Sequence, residues 1–152
     1  MAVNDIVVDA PPETVFGVLA DPRCYAEWVV GAHHSGPLDD RWPQPGSRFR
    51  HVSGIPPLVI RDTTSVVASQ PPRHLLLLIH IRPLMNATVE LTVAPHARGS
   101  LVTMREEIRG GIARITPRRL ADAVIRRRNR VALRRLRDLA VAAVAGAAHA
   151  RG

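Results

Sequence analysis

From Thr116 to Ala147 the chain contains Pro117 at the start, no later proline, and Gly146 as its single glycine. Such a stretch predicts one long helix. Thr116 is placed as its N-cap, and Pro117 fits the first turn, where an N–H has no intrahelical partner. At about 100° per residue, Ala121, Ile125, Ala132, Leu136, Leu139 and Ala143 fall on one side, while Arg119, Arg126, Arg127, Arg130, Arg134 and Arg137 fall on the other. One face is expected to be buried. A helix of about 45 Å cannot hide that face on a short partner, so it needs a broad sheet.

The upstream sequence supplies one. Asn4–Asp9 is β-prone; Ala10-Pro11-Pro12-Glu13 breaks it and opens a helix with Val15, Phe16, Val18 and Leu19 on its apolar side. Asp21-Pro22 caps a second short helix carrying Cys24, Tyr25 and Trp28. Gly31 to Gly46 reads as a loop that holds Trp42, which either plugs the end of a core or lines the mouth of a cavity. Five strands are predicted next, over Ser47–Ser53, Leu58–Ala68, His74–Ile81, Asn86–Ala94 and Ser100–Ile108. Their short Pro- and Gly-rich connections imply antiparallel hairpins.

At 152 residues without repeat or linker, residues 1–152 are expected to form a single domain. No apolar run is long enough for a membrane span, no secretory signal opens the chain, and Cys24 is the only cysteine, so the expected location is the cytoplasm. The net charge is +8, and every basic side chain is arginine. Nucleic-acid or acidic-partner binding through this arginine stripe is one reading. Against nucleic acid, all aromatics lie between Phe16 and Phe49, which leaves the basic helix no stacking platform. The alternative is a solvated face.

Several stretches carry a closer likeness. "VDAPPETVFGVLADPRCYAEW", "DDRWPQPGSRFRH", "PPLVIRDTTSVVASQPPRHLLL" and "GSLVTMREE" resemble the polyketide cyclase/dehydrase and lipid-transport group of START-like (SRPBCC) proteins. The likeness spans nearly the whole chain. It implies an α+β helix-grip fold, with a curved antiparallel sheet of about six strands around the C-terminal helix and two short helices after the first strand. It further implies a cavity between sheet and helix that takes a hydrophobic small molecule, of lipid or aromatic polyketide type. Some relatives catalyse cyclisation or dehydration there and many only bind. No shared catalytic motif carries over.

The residues themselves suggest which side chains face that cavity. Alternation sets Ala87, Val89, Leu91 and Val93 on one face, and Val102 with Met104 on another. Glu106 shares the parity of Met104, either at an open rim or enclosed; enclosed, it is the best general-acid candidate. Phe49 places His51 on its own face, as a proton shuttle or a core histidine. Whether Arg61 and Thr63 or Asp62 and Thr64 point inward stays open. On the long helix, Arg128 and Arg135 project between Leu120, Val124 and Val131 on one flank and Ala121, Ala132 and Leu139 on the other. They either snorkel past the sheet edge, or Arg128 meets a ligand anion or pairs with an inward acid such as Glu106. Buried, Asn129 would need a hydrogen-bond partner.

The expected ligand-binding set is Trp28, Trp42, Phe49, Val89, Leu91, Met104 and Val124. In an enzyme of cyclase or dehydratase type, His51 or Glu106 would serve as acid-base and Arg128 would steady an enolate. His33-His34 with Asp39 and Asp40 match no zinc spacing, and there is no Walker loop, dinucleotide turn or nucleophile elbow, so neither a metal nor a cofactor is expected. Either a monomer or a homodimer is compatible with the chain.

Overall fold

A computed structural model describes residues 1–55, 58–81, 85–109 and 117–149, without the side chains of 33–38, 51, 53–55, 58–61, 81, 85 and 118. The elements run β1 (Ala2–Val8), α1 (Pro12–Ala20), α2 (Pro22–Trp28), β2 (Ala32–Leu38), β3 (Arg48–Ile55), β4 (Leu58–Gln70), β5 (His74–Ile81), β6 (Met85–His96), β7 (Gly99–Arg109) and α3 (Arg118–His149). All seven strands form one antiparallel sheet in the order β1-β7-β6-β5-β4-β3-β2. The architecture is the α+β helix grip expected from the sequence, with one strand more. That extra strand, β2, lies in the segment read as loop, and its register on β3 shifts twice.

Local chemistry explains the helix starts. The Asp21 carboxylate accepts the Arg23 N–H at 2.9 Å, the N-cap bond predicted for α2, and Pro22 occupies the first turn. Pro12 does the same in α1. The N-cap expected at Thr116 lies outside the described residues. Past that point α3 runs through Gly146 to His149.

The alternating apolar residues of β6 and β7 are buried as their parity predicts: Ala87, Val89, Leu91 and Val93, then Val102 and Met104. All of these but Ala87 meet Val15 and Leu19 of α1, Tyr25 and Trp28 of α2, and Ala132, Leu133, Leu136 and Ala140 of α3 in one core. The neighbours of α3 include β1, α1 and α2. Asn4 of β1 donates from Nδ2 to the Arg126 carbonyl at 3.1 Å, tying strand to helix.

The β6–β7 turn fixes the position of β7. Gly99 sits at φ +129°, and a Cβ there would lie 2.5 Å from the Val8 carbonyl oxygen and 2.7 Å from the Ala10 nitrogen. Only glycine fits so close an approach. With β1 and β7 locked in register from Ala2↔Glu106 to Val8↔Ser100, Glu106 is held on the inward face near the first residues of β1. Among the described residues no helix is long and apolar enough to cross a membrane.

Candidate functional site

One group of polar residues in the interior draws on four elements. Tyr25 and Trp28 descend from α2, Asp62 and Thr64 rise from β4, Glu106 from β7, and Arg128 with Asn129 from α3. All but Arg128 are buried. On β4 the structure resolves the open alternation: Asp62 and Thr64 point inward, with Val66 on the same side.

Glu106 is enclosed rather than at a rim. One Arg128 nitrogen, Nη2, donates to both of its oxygens, at 2.7 Å to Oε1 and 2.6 Å to Oε2. The Glu106 side chain is 2% exposed and that of Arg128 38%, so the arginine spans from solvent to core. Of the sequence alternatives, this is the pairing with an inward acid. The ion pair is charge-assisted and short, and it supplies the partner that a carboxylate at this depth requires. Arg128 Nε and Nη2 also lie 3.4 Å from Asn129 Oδ1.

Tyr25 stands at the centre of this group. Its ring packs edge-on against Trp28, with centroids 5.5 Å apart, and against Phe49 at 4.8 Å. Burial pushes its phenol up to about 12; a hydrogen bond with Thr64 and the charge of Arg128 pull the other way, while Glu106 and Asp62 add to the rise. The phenol is therefore a neutral hydrogen-bonding group at physiological pH.

Among the described residues the buried side-chain atoms without a hydrogen-bond partner include two N–H donors, Trp28 Nε1 and Asn129 Nδ2, beside the Ser69 hydroxyl on β4. The sequence demanded a partner for Asn129. The structure gives one to its oxygen and, among the described residues, none to its nitrogen.

The other sequence candidates divide clearly. Trp28, Phe49, Val89, Leu91 and Met104 are buried in the core. Trp42 is half-buried; its Nε1 donates to the Ala20 carbonyl at 2.7 Å and its ring meets Phe49 edge-on at 4.8 Å, so it closes the α1 end of the core. Val124 requires a correction. It is exposed to solvent, together with Leu120 and Val131, because the buried stripe of α3 is centred on Asn129, Leu133 and Leu136 and does not reach that flank. The side chain of His51 lies outside the described residues; its backbone pairs with Asp62. Tyr25, Asp62 and Thr64 were absent from the sequence-derived set. A tyrosine three residues before Trp28 in a capped helix was the available signal, since that spacing puts both rings on one face.

Elsewhere a cleft of about 540 Å³ lies between β1, the β6–β7 turn and the C-terminal half of α3. Its charged lining is internally paired, Arg98 with Asp9 at 2.9 Å and Arg137 with Asp138 at 2.8 Å. That pairing leaves the enclosed group as the stronger candidate.

Residues 2–141 match the family model for polyketide cyclase/dehydrase and lipid transport. No curated protein is significantly similar in sequence. Solved structures share the fold. A protein of unknown function from Staphylococcus aureus is 9% identical, with a TM-score of 0.75 and 94% of each chain covered. A conserved protein from Geobacillus kaustophilus is 16% identical at a TM-score of 0.74, with 91% of this chain and 93% of that one covered. A protein from Mesorhizobium loti is 21% identical at 0.67, with 91% and 94% covered.

Proposed function

Because the chain belongs to the polyketide cyclase/dehydrase and lipid-transport family, we propose that it binds a hydrophobic small molecule, of lipid or aromatic polyketide type, between the sheet and α3. The observation that carries this reading is the pair of buried N–H donors of α2 and α3 that have no partner among the described residues, Trp28 Nε1 and Asn129 Nδ2. An enclosed donor left unpaired costs about 1–3 kcal/mol. A ligand carbonyl, hydroxyl or carboxylate would relieve that cost. Trp28, Trp42, Phe49, Val89, Leu91 and Met104 would supply the apolar wall, with affinity growing at about 25 cal/mol per Å² of apolar surface removed from water.

An enzymatic reading draws on one feature, the enclosed Glu106 carboxylate beside Arg128. Both of its oxygens accept from Arg128 Nη2, so proton transfer by Glu106 requires the arginine to turn away first. A developing enolate is a group that could attract it. His51 is the remaining acid-base candidate of this reading.

Native mass spectrometry of the protein purified from its own host tests the proposal. The expected outcome is a co-purifying apolar molecule that is released on denaturation and binds Trp28→Phe and Asn129→Leu about tenfold more weakly than the parent. Loss of that molecule, together with no uptake of the apolar dye anilinonaphthalene sulfonate, would defeat the binding reading. Release of the molecule in chemically altered form would favour catalysis.

A further inference from the structure

The side of α3 turned away from the core carries more than a solvated face needs. Leu120, Val124 and Val131 are 59%, 61% and 36% exposed. At about 100° per residue they fall within a narrow arc along about 16 Å of the helix, with Arg127 between Val124 and Val131. Scattered exposed apolar residues are ordinary; here three share one line of a helix whose other exposed positions are mostly arginine and alanine. Arg127 and Arg134 stand on the same crest, Arg119, Arg126 and Arg130 lie along one flank, and Arg135 lies along the other; all are exposed. Among the described residues none of these guanidinium groups has an ion-pair partner. The two acids of α3 are engaged elsewhere: Asp122 holds the N-terminal ammonium at 3.0 Å, and Asp138 holds Arg137 at 2.8 Å.

We propose that this crest docks the protein on the surface of a bilayer containing anionic phospholipids. The helix would lie in the membrane plane, with the arginines on lipid phosphates and the Leu120–Val124–Val131 ridge at the boundary between headgroups and acyl chains. Charge complementarity alone would suit a nucleic acid equally well. The ridge decides between them, since a phosphate backbone offers Leu120 and Val124 nothing apolar to enter, whereas a bilayer does. This face is separate from the interior proposed to hold ligand, so the two readings fail independently.

Co-sedimentation of the full chain with vesicles tests the assignment. Vesicles of phosphatidylcholine alone are compared with an equal mixture of phosphatidylcholine and phosphatidylglycerol. The expected result is binding to the mixed vesicles that is about tenfold or more tighter than to the neutral ones, and that weakens as sodium chloride rises. Leu120→Ser with Val124→Ser should lower affinity for the mixed vesicles about tenfold, and Arg127→Glu with Arg130→Glu and Arg134→Glu should abolish it. These positions are exposed, so both variants should keep the parent's circular dichroism and melting temperature. Equal binding to both vesicle types, or a serine variant that binds as the parent does, would overturn the proposal. So would tight binding of duplex DNA, insensitive to the serine changes, with no vesicle binding.

Discussion

Arg127 and Arg128 are sequence neighbours, yet about 100° of helical rotation sets one in water and turns the other toward the core. Arg127 stands on the crest of α3 with no ion-pair partner among the described residues, and Arg128 delivers its guanidinium to a carboxylate at 2.6 Å. What differs is the surrounding dielectric and the partner. An exposed cation is stabilised by solvent, and even a paired one is worth only about 0–1 kcal/mol. Glu106 has no such solvent, and without a cation it would be an isolated charge in the core. Identical side chains thus matter little to folding stability at one phase of the helix and are structural at the next.

The largest expected effect comes from breaking the inner pair. Arg128→Ala should destabilise the fold by about 3 kcal/mol in denaturant unfolding, at the low end for a buried pair because water reaches the outer part of the arginine. Adding Glu106→Leu should recover most of that loss, since the stranded carboxylate is then gone. A double variant as unstable as the single one would mean that Arg128 acts through its stem packing and not through Glu106.

The second effect concerns the phenol between these charges. Tyr25 is the only tyrosine, so its ultraviolet absorbance titration can be read directly. Its folded pKa is raised from 10.0 to about 12, so the folded state keeps its proton after the unfolded chain has lost it. The associated stability is present below about pH 10 and disappears as pH rises toward 12, a difference of roughly 2–3 kcal/mol. Ionisation at the ordinary value would indicate an interior wetter than its burial suggests.

How far the sequence foretold this comparison follows from what each signal encodes. Parity along β7 carried Glu106 inward with Val102 and Met104, and helical phase put Arg128 at the edge of the buried stripe, so their meeting was legible in outline. Phase also put Ile125, Ala132 and Leu136 on the buried side, but it did not show how far that side extends toward Val124. Leu120, Val124 and Val131 form one flank, Ala132 and Leu139 the other, and packing against β1, α1 and α2 ends the buried stripe short of the first. The strand β2 was invisible for a different reason: AHHSGPL has no alternating apolar pattern, and its strand character comes from pairing with β3 through a shifting register. Likewise Thr63 and Thr64 are equivalent to any propensity scale, and the β3–β4 register decides that Thr64 faces the core.

A smaller effect separates satisfied from unsatisfied polar groups within the core. Asn129→Leu removes the bare Nδ2 and two weak 3.4 Å contacts from Arg128. The gain from deleting an unpaired donor and the cost of fitting a bulkier side chain oppose each other, so stability should stay within about 1 kcal/mol of the parent. Ligand affinity should fall nonetheless. Stability lost in step with affinity would make Asn129 an ordinary structural contact.

The smallest effect is the sharpest control. Arg127→Ala should change unfolding free energy by no more than about 0.5 kcal/mol, as expected for a surface substitution away from any network. Its sign should be slightly stabilising at low salt, because removing one cation from a helix whose described side chains include six exposed arginines and only two acids relieves like-charge repulsion. Added salt should erase even that, since screening shortens the reach of exposed charges to about 8–10 Å. A cost above about 1 kcal/mol, persisting in salt, would mean that Arg127 has a partner of its own and that helical phase does not separate the two arginines energetically. The same variant should still weaken sedimentation with anionic vesicles, which stability measurements alone cannot reveal.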